Sequence, residues 1–124
     1  MSSKITFHKD IGVIEATYEG NINIDSLKES ITQNLEKAAQ LGTFLFLTDC
    51  RKVTGSTTTF DLFELNSLLE YTSKIKGLRE AIVLPANKEI AETLLFYETF
   101  CRNRGFDTRS FINREDALNW LISK

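Results

Sequence analysis

The chain has 124 residues, 42% of them hydrophobic and 26% charged, with a formal net charge of −2. That length supports one domain around a single core. The charge balance leaves no basic footprint for nucleic acid, one Pro and six Gly argue against a disordered or Pro-rich linker, and no apolar run approaches a membrane span.

Lys4 to Phe7 and Gly12 to Tyr18 alternate apolar and polar residues around the turn-like Lys9–Gly12. This predicts a β-hairpin, with Ile14, Ala16 and Tyr18 on one side. Gly20 and Asn21 close the second strand. Asp25 is an N-cap candidate. Leu27, Ile31, Leu35 and Ala38 then recur every three or four residues, the apolar stripe of an amphipathic helix. Gly42 stops that helix. Phe44 to Leu47 is a short continuous apolar run, read as a strand covered on both faces and ending at Asp49.

The stretch that follows is a polar loop with four successive hydroxyl residues, Ser56 to Thr59. Thr58 with Asp61 has capping-box spacing and predicts a second helix, whose inward stripe is Leu62, Leu65, Leu69 and Thr72. Leu78 to Pro85 reads as another buried strand, stopped by Pro. Asn87 caps a third helix that runs to about Asn103, with Gly105 just past its end. Phe106 to Ile112 is a more polar strand, placed at an edge. Asn113 with Asp116 opens a last helix through Ala117, Leu118, Leu121 and Ile122. The order β-β-α-β-α-β-α-β-α predicts an α/β fold. One mixed sheet of about five strands carries an antiparallel N-terminal hairpin and largely parallel strands, covered by four helices. Residues 1–124 form one domain.

The segments HKDIGVIEATYEGNI, FLFLTDCRKVTGSTTTFDLFEL, LREAIVLP and EDALNWL together resemble the STAS-like superfamily. This is the fold of SpoIIAA-like anti-sigma-factor antagonists, related to lipid-transfer domains of the CRAL-TRIO type. The resemblance implies a non-enzymatic regulatory or protein-interaction module. It also implies that a Ser at the helix start after the buried strand is phosphorylated by a partner kinase. Ser56 or Thr57 falls nearest that place, although GSTTTFD stands where the superfamily has an Asp-Ser-Ser-Gly-type stretch.

The residues themselves leave several readings open. Ser56, Thr57, Thr58 and Thr59 serve as helix caps, as an anion site at a helix N-terminus, or as phosphorylation sites beside Arg51 and Lys52. Asp49 either binds a partner Arg at the carboxyl end of a strand or holds an Asx-type turn. On the third helix, Ile90, Leu94, Tyr97 and Cys101 share a face, with Phe96 and Phe100 to one side. That apolar arc is wide enough for deep embedding, a ligand or a homodimer. Arg102 and Arg104 suit a helix C-terminus or a partner's carboxylates, and Glu98 has the i,i+4 spacing to pair with Arg102.

No catalytic or cofactor motif is present, and the three His and Cys residues are too scattered for zinc. His8, the one His, reads as a surface residue. Cys50 and Cys101 read as small buried hydrophobes. With no secretory apolar core in Met1–Asp10 and no N-glycosylation sequon, a reduced cytoplasmic setting is expected. The expected function is a protein-interaction module acting through Asp49, Ser56, Thr57 and Thr58. The alternative is a carrier of a small molecule or lipid in an aromatic-lined pocket near Phe96 and Phe100.

Overall fold

The computed structural model describes residues 2–55, 63–65, 68, 70, 72 and 74–123. Strands β1 (Ser2–His8) and β2 (Val13–Asn21) form the expected antiparallel hairpin, with Phe7 opposite Ile14 and Ile5 opposite Ala16. Helix α1 (Ile24–Leu41) follows. Its N-cap is Asn23 rather than Asp25. The Asn23 side chain accepts from the backbone N–H groups of Asp25 and Ser26, which places Asp25 inside the first turn. Both residues are good caps by type, so composition alone does not separate them. Gly42 ends α1 in the left-handed region at φ 71°, and its N–H closes on the Ala38 carbonyl.

Strand β3 runs from Leu45 to Gly55, well past Asp49. Up to Asp49 it pairs with strands on both sides. Beyond that point it pairs only with β2, with Lys52 beside Glu19 and Gly55 beside Asn21. The polar residues after Asp49 are therefore a two-stranded ribbon and not a loop. A ribbon that pairs on one side among the described residues tolerates the polarity that reads as a loop in the sequence. Among the described residues after it lie a 3₁₀ turn at Phe63–Leu65 and helical positions at Leu68, Glu70 and Thr72. The helix expected to open at Thr58 otherwise falls outside the described residues. The complete α-helices described are thus three, against the four expected.

Strand β4 (Arg79–Val83), helix α2 (Lys88–Arg102), strand β5 (Asp107–Phe111) and helix α3 (Arg114–Ile122) complete the chain. The Asn87 and Asn113 side chains cap α2 and α3 as expected. The sheet has the order β1-β2-β3-β4-β5, and every pairing after the first hairpin is parallel.

This order grows in one direction, so right-handed crossovers place their helices on one face. The packing agrees. Ile14, Ala16, Phe46 and Ile82 form one cluster with Ala38 of α1 and Leu94, Tyr97 and Phe100 of α2. Helix α3 covers the other face, where Ala117 and Leu121 meet Val13, Leu47, Ala81 and Val83. Because the winding never reverses, the sheet has no switch-point crevice of the kind that gathers ligands in doubly wound folds.

Candidate functional site

Strand alternation sends Ala16 and Tyr18 of β2, Thr48 and Cys50 of β3, and Glu80 and Ile82 of β4 to the face shared with α1 and α2. Between these strands and the two helices lies a cavity of about 70 Å³, partly open to the surface. Leu27, Ile31 and Leu35 of α1 and Leu94 of α2 supply apolar walls, and Phe46, Tyr97 and Phe106 add aromatic ones. No Lys, Arg or His is among its described lining residues.

Two polar groups interrupt this surface. Glu80 projects from the central region of the sheet and is part-buried at the cavity wall. Thr48 Oγ1 donates to Glu80 Oε2 at 2.8 Å, while Tyr97 Oη and Thr108 Oγ1 donate to Oε1 at 3.3 and 3.4 Å. No described cation pairs with it. Burial raises the Glu80 carboxyl above its ordinary range, and the three hydroxyl donors offset this only in part. The second group is Asn34 of α1. Its side chain is 9% exposed, lies against the Tyr18 hydroxyl, and leaves its Oδ1 buried without a hydrogen-bond partner. Tyr18 itself shares a 2.7 Å hydrogen bond with Ser30 Oγ, and burial pushes its hydroxyl up to about 12.

The expected site residues scatter. Ser56, Thr57 and Thr58 lie outside the described residues. Asp49 is buried, and its carboxylate is taken by its own neighbour. Oδ1 accepts from the Arg51 backbone N–H at 3.1 Å and from Arg51 Nε at 3.0 Å, and Oδ2 accepts from Nη2 at 2.8 Å. The expected side-chain hold on the backbone is present, but it sits within a strand. Burial pushes the Asp49 carboxyl up, and the Arg51 contacts outweigh it, leaving the carboxyl below its ordinary value.

Phe100 is a core residue, buried beside Leu94 and Cys101. The Arg104 guanidinium stacks 3.5 Å from its ring centroid and donates to the Phe100 carbonyl. Phe96 is 39% exposed, and Arg102 is exposed at the end of α2. Neither Phe96 nor Phe100 is among the cavity's described lining residues, so the aromatic pocket expected there sits one helical face away. Glu98 does not answer the spacing to Arg102. It accepts a short hydrogen bond from the Ser110 backbone N–H and so ties α2 to β5.

Sequence reasoning passed over a charged cluster on the face covered by α3. Arg114 grips Glu15 through Nε at 3.0 Å and Nη2 at 2.8 Å, and His8 Nε2 donates to the same carboxylate at 2.7 Å. These contacts, Arg114 first, hold Glu15 down to about 2 despite its burial. Glu15 and Arg114 lie 99 positions apart, so no local pattern signals the pair.

A crystal structure resembles this arrangement. It is of an uncharacterized protein of the DUF3478 family from Shewanella loihica PV-4, described as having a SpoIIAA-like fold. It matches with a TM-score of 0.60 at 19% identity, covering 97% of this chain and 92% of that one. The fold of this chain is SpoIIAA-like. No protein-family model and no curated protein matches the sequence. The SpoIIAA-like frame fixes where the strands and helices stand, and the chemistry of the cavity comes from this chain's own residues.

Proposed function

We propose that this protein is a non-enzymatic binding module that takes a compact apolar molecule between its sheet and helices α1 and α2. The observation that carries this reading is the apolar cavity with Glu80 and Asn34 converging on it, the composition typical of small-molecule sites. Its volume of about 70 Å³ is small. An apolar cavity of roughly 150 Å³ holds benzene. A compact molecule or a chain end suits the site better than a whole lipid. The absence of catalysis is supported by the thiols. Burial pushes Cys101 up to about 12 and Cys50 also well up, which leaves neither poised as a nucleophile.

Xenon tests the cavity directly. Under xenon pressure, methyl NMR signals of Ile31, Leu35 and Leu94 should shift, while Val13 and Val83 on the opposite face stay still. An Ile31→Trp variant should abolish the response. Uniform or absent shifts in the wild type overturn the reading.

A second reading is a protein-interaction module in a cytoplasmic setting, switched by phosphorylation at Ser56, Thr57 or Thr58. It is supported by the resemblance and by one surface feature. Ile112 is 87% exposed and lines a shallow groove with Leu84, Pro85, Ala86 and Arg51. Arg51 lies only a few residues before the hydroxyl run. Mass spectrometry of the protein from its native cell should find phosphate on that run, and Ile112→Asp should lose partner recovery. An unmodified chain with undiminished recovery overturns this second reading. Homodimerisation through the Phe96 surface is compatible with either reading, and a monomer across a light-scattering dilution series overturns it.

A further inference from the structure

The chemistry of the cavity wall narrows the ligand. Its described lining supplies no positive charge, so an anionic head group would enter without a counter-ion, beside the Glu80 carboxyl. Burying an unpaired charge in an apolar site is far more costly than burying a hydroxyl. The polar atoms on offer are chiefly acceptors. Asn34 Oδ1 is buried and has no hydrogen-bond partner among the described residues. Glu80 is encircled by hydroxyl donors, yet it keeps accessible surface while lining the cavity. A ligand that satisfies Asn34 must donate a hydrogen bond. A ligand that stays neutral avoids the desolvation of a second charge.

We propose that the cavity selects a small uncharged molecule with a short apolar body and one hydroxyl, an alcohol of about three or four carbons, whose O–H donates to Asn34 Oδ1. This rests on the reading of the cavity as a binding site, and adds which head group the site accepts. The hydroxyl oxygen remains an acceptor, within a wall that also carries the Thr48, Thr72 and Thr93 hydroxyls. The carboxylate of the same carbon skeleton is rejected because nothing in the described wall neutralises it. The plain hydrocarbon fits the walls but leaves Asn34 Oδ1 unsatisfied. An unmade buried hydrogen bond is worth about tenfold in affinity.

The test is a ¹⁵N and methyl NMR titration of the full chain at pH 7 with four molecules sharing one isopropyl group: isopropanol, propane, isobutyrate and isopropylamine. Isopropanol should bind about tenfold more tightly than propane, and more tightly still than the carboxylate. The Asn34 side-chain amide signals should move with the alcohol alone. In Asn34→Leu, which keeps a good helix former in α1, the alcohol and the hydrocarbon should bind equally, and xenon should still shift the cavity methyls.

If the carboxylate equals or exceeds the alcohol, the selectivity is overturned. It is also overturned if Asn34→Leu keeps the alcohol preference. Tighter binding of the amine would make Glu80 a counter-ion and overturn the neutral-ligand assignment. Loss of the xenon response in wild type would instead remove the cavity reading beneath it, so the two failures are distinguishable.

Discussion

Replacing Glu15 by Gln gives a direct measure of the bond between the first hairpin and the last helix. The side chain of Glu15 is 12% exposed and takes three hydrogen bonds, two from Arg114 and one from His8. Asp49 and Arg51 on β3 also feel the Glu15 charge, each in a minor way. Its carboxyl drops from an ordinary 4.5 to about 2. Linkage converts such a difference to about 3 kcal/mol. Arg114 is 36% exposed, so solvent screening reduces the expected effect to roughly 2 kcal/mol. The sign follows from the direction. A depressed native value means the stabilisation is complete above the unfolded value, near 4.5, and disappears as pH falls through about 2. Urea unfolding of wild type and Glu15→Gln should therefore differ by roughly 2 kcal/mol at pH 7 and converge near pH 2. A difference that stays the same from pH 7 to pH 2.5 would show that Gln disturbs packing instead, and would refute the electrostatic account.

Glu80→Gln should act in the opposite sense. Burial raises the Glu80 carboxyl, so wild type loses stability as pH climbs from the ordinary carboxylate range through the raised native value, while the variant does not. At pH 8 the variant should be more stable, by on the order of 1 kcal/mol, in urea unfolding. A less stable variant at that pH contradicts the uncompensated burial. Asn23→Ala should cost about 1 kcal/mol and Asp25→Ala only a few tenths, since Asn23 holds the cap. Reversed values in thermal melts would return the cap to Asp25. Leu121→Ala, which empties a fully buried site under α3, should cost about 2–5 kcal/mol in the same melts. Cys50 and Cys101 should resist a thiol reagent until urea unfolds the chain, because both are buried free thiols. Rapid labelling of the native protein would refute that placement.

Local pattern carried most of the fold. The hairpin, the buried stripe of α2, the caps at Asn87 and Asn113 and the edge position of β5 follow from periodicity and capping chemistry alone. The polar turn of the chain at Asp49 reads as the end of a strand, yet it only marks where the described pairing with β4 stops and that with β2 continues. For Phe100 a helical wheel leaves embedding, a ligand and a dimer all open, because it gives angles and not partners. The Arg104 guanidinium over its ring, with Leu94 and Cys101 beside it, closes that side. The cavity was not legible in the chain. Asn34 and Glu80 lie 46 positions apart (80 − 34) and meet only through a parallel crossover. The one local hint was Glu80 itself, a charged residue within the otherwise apolar Leu78–Pro85 strand.

That hint has a physical meaning. The face of the sheet beneath α1 and α2 is largely apolar, with Ile14, Ala16, Phe46 and Ile82 packed against the two helices. A strand position there is expected to be Val or Ile, as Ile82 is two residues on along the same face. Glu80 breaks that rule without a described cation to pair with, and three separate elements, β3, α2 and β5, each contribute a hydroxyl to hold it. An apolar residue would remove the desolvation cost of the carboxyl, but it would leave those hydroxyls without their acceptor. The carboxyl held there is also an acceptor at the wall of an otherwise oily cavity. Asn34 points the same way from the opposite wall, because an apolar residue there would leave no unmet acceptor. Two local violations facing one cavity are the features on which the proposed ligand reading rests.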